Sequence, residues 1–120
     1  MFERLSHIML FAKDVPAAAE WYRRTLGFEP LFIAGDGYAS LMHKGMGVRL
    51  DLHMSEDGHP NIGKGPMPYF AVKDIEAALA ALKAKGVECS EPRSEQGSPR
   101  FASFKDGCGN LLGVEEMGGH

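Results

Sequence analysis

Residues 14–29 read DVPAAAEWYRRTLGFE and residues 74–89 read DIEAALAALKAKGVEC, so one helix signature occurs twice, sixty positions apart. Asp14 and Asp74 stand where a side-chain oxygen can cap a helix N-terminus. Val15, Ala18, Ala19 and Tyr22 follow the first, and Ile75, Ala78, Leu79 and Leu82 the second. Both sets have the i, i+3, i+4, i+7 spacing of a single buried helical face. Pro16 suits a first helical turn, where its missing N–H costs nothing. Each pattern ends at a glycine able to take the left-handed conformation, Gly27 or Gly86, and then enters a β-type start, FEPLFI at 28–33 or VECSEP at 87–92.

The flanking strands repeat as well. LSHIMLFAK at 5–13 precedes the first helix and MPYFAVK at 67–73 the second, both short, apolar and rich in β-formers. YASLM at 38–42 is echoed by FASFK at 101–105. GVRLDLHM at 47–54 is echoed by GNLLGVEE at 109–116, each entered through a glycine-containing turn, KGMG or DGCG. The result is strand, helix and three strands, twice: an α+β chain of two βαβββ modules.

Module one is expected over residues 1–54 and module two over 67–116, with SEDGHPNIGKGP at 55–66 as a long connecting loop and MGGH at 117–120 as a frayed tail. A helix on one sheet face leaves the other face uncovered, so two modules must pack together, within one chain or between chains. With 120 residues the expectation is one domain over 1–120.

Composition excludes several functions. Hydrophobic residues at 44% and charged residues at 24% are those of a globular protein, neither disordered nor membrane-embedded. The net charge is −3 and the basic residues are scattered, which argues against nucleic acid as a partner. MFERLSHIML lacks the charged start and long apolar run of a signal peptide, and no stretch is long enough to span a bilayer. Cys89 and Cys108 fit neither a metal-finger nor a CxxC spacing, so reduced thiols in a cytoplasmic protein are expected. There is no GxSxG elbow and no GxGxxG, and GKGP at 63–66 is too short for a phosphate loop.

The phrases DVPAAAEWYRRTLGFE, with its WY pair and LGF ending, KDIEAALAALKAKGVE, and FKDGCGNLLGVEE, with its terminal DGN-type turn, together resemble the vicinal-oxygen-chelate superfamily of glyoxalases, bleomycin-resistance proteins and dioxygenases. The resemblance covers nearly the whole chain. It departs at Gly107 and Cys108, where the family usually carries proline and an aspartate or aromatic residue. It implies that the two modules curve into a cupped mixed sheet with the helices on the outer face. It also implies that metal-dependent members place one ligand on the first and last strand of each module. Carried over, those positions fall on His7, Asp51, Met67 and Gly113.

Met67 is a poor ligand for hard divalent ions and Gly113 has no side chain, so no metal cofactor is expected. If a divalent ion (Ni, Zn, Mn or Fe) is bound, His7 and Asp51 would hold it. A shift of two residues along the last strands would instead offer His53 and Glu115 beside His7, although those two read more simply as solvated strand ends. Strand alternation puts His7 on a face with Met9 and Phe11, and Asp51 on a face with Arg49 and His53. In module two the matching faces carry Met67 and Tyr69, then Gly113 and Glu115. His7 reads either as a histidine hydrogen-bonded within the cup or as a binding group. Asp51, between Leu50 and Leu52, needs Arg49, a ligand or water as company. Met9, Phe11, Tyr69 and Phe101 are core by type but, facing an open cup, would present flat or soft surfaces to an aromatic ligand.

The expected function is therefore binding, with possible sequestration, of a small molecule that is flat and aromatic or partly cationic, by a homodimer, with Asp51 as anionic anchor. The alternative is a metal-dependent enzyme of the family: a glyoxalase-like lyase or isomerase, a thiol transferase or an extradiol dioxygenase. A third is a metal-free enzyme with Asp51 or His7 as general base.

Overall fold

The computed structural model describes residues 1–55, 62, 64–94 and 98–117. The expected loop at 55–66 falls largely, and the expected frayed tail at 117–120 mostly, outside the described residues. Two compact units are present, Met1–Gly65 with Cys108–Asn110, and Pro66–Gly107 with Leu111–His120.

The first unit runs β1 (Ile8–Ala12), α1 (Val15–Leu26), β2 (Glu29–Ala34), β3 (Tyr38–His43) and β4 (Val48–Met54). Asp14 caps α1, its carboxylate accepting from the Ala17 N–H at 3.0 Å, and Gly27 ends it at φ 80°. The face predicted from spacing is the one that packs: Val15, Ala18, Ala19 and Tyr22 are all buried. The four strands form a sheet in the order β1-β4-β3-β2. β1 lies parallel to β4 with Ile8 opposite Leu50, and β3 is antiparallel to β4 with Ser40 opposite Asp51. Leu10, Ala12, Ala39, Leu41, Leu50 and Leu52 are buried on one sheet face, with α1 in contact with β2, β3 and β4. Burial of each leucine stabilises the unit by ~1.5–3 kcal/mol. Strand alternation then puts His7, Met9 and Phe11, and Arg49, Asp51 and His53, on the opposite, open face.

The second unit runs β5 (Tyr69–Val72), α2 (Ile75–Ala84), β6 (Phe101–Lys105) and β7 (Leu111–Glu116). Asp74 caps α2 through the Ala77 N–H at 3.0 Å, and Ile75, Leu79 and Leu82 are its buried face. Glu116 adds a second tie at the same helix start, accepting from the Ile75 N–H at 3.0 Å. The sheet order is β5-β7-β6, with β5 parallel and β6 antiparallel to β7.

The repeat is imperfect at one element. VECSEP is expected as a strand, but is reduced to two isolated bridges, Cys89 with Phe104 and Arg93 with Phe101. Four residue steps on one side face three on the other, so the ladder cannot stay in register. Pro92, lying between the two bridges, has no N–H to give. The ordered part is fastened by Ser90 N–H to the Ser103 carbonyl at 2.8 Å and by reciprocal Arg93 and Phe101 bonds at 3.0 and 2.8 Å.

Candidate functional site

On the open face of the first sheet a carboxylate is sealed in place. Asp51 has 0% exposure although it lies opposite the helix-packed face. Its Oδ1 accepts from Ser40 Oγ at 2.8 Å and Arg49 Nε at 2.9 Å. Its Oδ2 accepts from Arg49 Nη2 at 2.9 Å and from the Tyr38 hydroxyl. His7 Nε2 stands 3.7 Å from the same oxygen, while His7 Nδ1 is 2.9 Å from Ser6 Oγ. Arg49 is two residues from Asp51 on one strand, so both side chains leave the same face and the guanidinium can fold back as a two-pronged fork.

Burial pushes the Asp51 carboxyl up, but the hydrogen bonds from Arg49, Tyr38 and Ser40, with the nearby His7, outweigh it and hold the group at about 2. The same bond from the Tyr38 hydroxyl raises the phenol above its usual value. Asp51 therefore presents no free charge on this surface. It orients Tyr38, Ser40 and Arg49, which corrects its expected role as an anionic anchor: the charge is answered inside the protein because a buried carboxylate without partners would be too costly.

Beside this group, four rings cross the sheet from edge to edge. Phe11 on β1 meets His53 on β4 at 5.7 Å between centroids, and His53 meets Tyr38 on β3 edge-on at 5.9 Å. Tyr38 stacks on Phe32 of β2 at 5.8 Å and 13°. Phe32 is half exposed, and Phe11 and Tyr38 are partly so. His53 Nδ1 lies 2.7 Å from the Met54 carbonyl. Met9 is partly exposed on β1, directly opposite Asp51.

In the second sheet, Tyr69 pairs with Gly113, and a Cβ at position 113 would overlap the Tyr69 ring. The glycine is what lets the phenol lie across the strand. Glu115 is exposed opposite Phe101, over whose ring Arg93 sits with its guanidinium carbon 5.2 Å from the centroid. Met67 is exposed, two residues before β5.

The structure thus brings His7, Arg49 and Asp51 together, joins Phe11 to His53, and joins Tyr69 to Gly113. Reading the sequence from the first and last strands of each module missed Phe32, Tyr38 and Ser40. One signal was available: in YASLM, Tyr38 and Ser40 alternate with Ala39 and Leu41, which marks them as sharing the face away from the helix.

The family's divalent metal is poorly matched by these residues. Position 113 lacks a side chain and has carbon of Tyr69 in the way, and both Asp51 oxygens are engaged, two bonds of them by a guanidinium. Among the described residues no three His, Cys, Asp or Glu side chains cluster as a ligand set. Cys89 and Cys108 are not in a disulfide, and no described helix is long and apolar enough to cross a membrane.

Two mixed sheets, each carrying one helix, are thereby joined to a recognisable lineage. Residues 4–114 match the sequence model of the Glyoxalase/Bleomycin resistance protein/Dioxygenase superfamily, and the chain belongs to that superfamily. A relative in Bacillus subtilis strain 168, the uncharacterized protein YurT, is 27% identical over 117 residues, covering 88% of this chain and 92% of its own. The antibiotic-binding protein TnmS3 of Streptomyces sp. CB03234 superposes with a TM-score of 0.76 at 24% identity, covering 98% of this chain and 100% of its own. The fosfomycin resistance protein FosX of Listeria monocytogenes, complexed with Mn(II) and sulfate, gives 0.77 at 19% identity, covering 98% and 93%. At these identities the likeness to the solved structures is one of fold.

Proposed function

We propose that this chain binds and sequesters a flat aromatic small molecule, without a metal ion, on the open face of its first sheet. The observation that carries the reading is the row Phe11, His53, Tyr38 and Phe32, four rings in successive contact across four strands. Such a row offers a planar compound a wide surface of π faces and edges, and stacked aromatic pairs contribute ~0.5–1.5 kcal/mol each beyond their area. Asp51 supports the site by fixing Tyr38 and Arg49, and Ser40 shares its charge. The antibiotic-binding relative in the same fold supports binding without turnover. The saturated hydrogen bonding of Asp51 weighs against it as a metal ligand or general base, because either role needs a free lone pair.

The test is binding of 2-(hydroxymethyl)anthracene, a neutral tricyclic probe, followed by its fluorescence anisotropy in excess EDTA. Saturable binding unaffected by chelator, weakened roughly tenfold by Phe32→Ala, is expected, since loss of one stacked ring costs on the order of 1–2 kcal/mol. Binding that disappears with EDTA and returns with manganese or iron would overturn the metal-free reading.

A further inference from the structure

We propose that the compound held by this chain is an aromatic acid, whose anionic group enters a hollow beside Arg49. This rests on the binding reading above and narrows it to a chemical class. The hollow, about 460 Å³, opens where β1 and β4 begin, and Arg4, His7 and Arg49 line it together with Leu31, Met42 and Val48. That volume is in the range of small-molecule sites.

Its electrostatics are one-sided. The titratable residues lining it are two arginines and a histidine, and no carboxylate lines it among the described residues. The acid that could cancel them, Asp51, is sealed and occupied on both oxygens. Asp51 takes Nε and Nη2 of Arg49, whose side chain nevertheless stays 29% exposed beside the hollow. The guanidinium is thereby locked in orientation before any ligand arrives, so a carboxylate or phenolate meeting its exposed edge orders little that was mobile. Arg4, on the exposed approach to β1, adds a second cation.

Length fits as well. Arg49 and His53 leave the same face of β4 four residues apart, about 13 Å along a strand. A tricyclic body lying over the rings can thus carry its acid group to Arg49. A cationic ligand, favoured if Asp51 were a free anchor, would face Arg4 and Arg49 instead.

The experiment compares three probes of one shape: anthracene-2-carboxylate, 2-(hydroxymethyl)anthracene and 2-(aminomethyl)anthracene. The acid is expected to bind the wild type about tenfold tighter than the alcohol, and the ammonium more weakly than either. Arg4→Gln, at an exposed position, should reduce acid affinity severalfold and leave the alcohol unchanged. Arg49→Lys, which keeps charge but loses the fork, should reduce it further, with a thermal melt establishing that this variant folds; if it does not, Arg4→Gln decides. Equal binding of all three probes, or preference for the ammonium, overturns the acid inference and leaves the aromatic-binding reading standing. Binding of none of them at millimolar concentration overturns both.

Discussion

The guanidinium of Arg49 lies along the carboxylate of Asp51 as a fork, Nε to Oδ1 and Nη2 to Oδ2, both at 2.9 Å. One partner is fully buried and the other keeps an edge toward a hollow, so the pair converts an internal structural charge into a fixed external donor. Ser40, directly across on β3, completes the arrangement.

Ser40→Ala removes a donor to a buried charge while leaving a methyl group of similar size. A loss of about 1.5–3 kcal/mol in urea unfolding is expected, as for other hydrogen bonds to ionised groups. Arg49→Met should cost more than Ser40→Ala, since it strands the carboxylate. A Ser40→Ala chain as stable as wild type would show that Asp51 is hydrated rather than sealed.

The same pair sets an acid dependence. The folded carboxyl, held at about 2, lies below its ordinary unfolded value near 3.8. A depressed pKa stabilises the fold above the unfolded value, and that contribution is lost as pH falls from there through the folded value. It is worth on the order of 2 kcal/mol. Urea melts of wild type and Asp51→Asn are expected to differ by a constant amount above about pH 5 and to converge toward pH 2. A difference that stays constant down to the lowest pH would contradict the assignment.

Much of this was legible in the chain. The caps at Asp14 and Asp74 and the buried faces of both helices are local patterns, and local periodicity survives folding. That Asp51 needs company was legible too, with Arg49 one of three candidates beside a ligand or water, because residues two apart on a strand share a face. Ser40 and Tyr38 were not tied to Asp51 by anything in the sequence. Their pairing depends on the β3 to β4 register, which joins residues eleven and thirteen positions apart. Whether Asp51 would be exposed or sealed also depends on that register. The loss of a strand at VECSEP turned on Pro92 and a one-residue mismatch, which repeat symmetry had hidden.

Gly113 and Tyr69 give a further test. Gly113→Ala introduces a Cβ that overlaps the ring, so the ring must swing away or the strands must part, at a cost of about 1–3 kcal/mol. In a Tyr69→Ala background the same substitution should cost far less, a coupling read directly from a double-mutant cycle. Additive effects of the two changes would place the ring elsewhere.

The edge strand β2 bears on assembly. Leu31, Phe32 and Ile33 are each about half exposed along a strand that, among the described residues, is paired on one side only. An apolar, unblocked edge tends to recruit another chain, and a second copy is the partner expected here. Light scattering is predicted to give twice the monomer mass. Ile33→Lys puts a charge on that edge without disturbing the ring row, since Ile33 points to the opposite sheet face from Phe32. It should shift the population toward monomer while leaving anthracene binding intact. Loss of binding together with the dimer would instead mean that the second copy contributes to the site, and an unchanged mass would put any self-association on another surface.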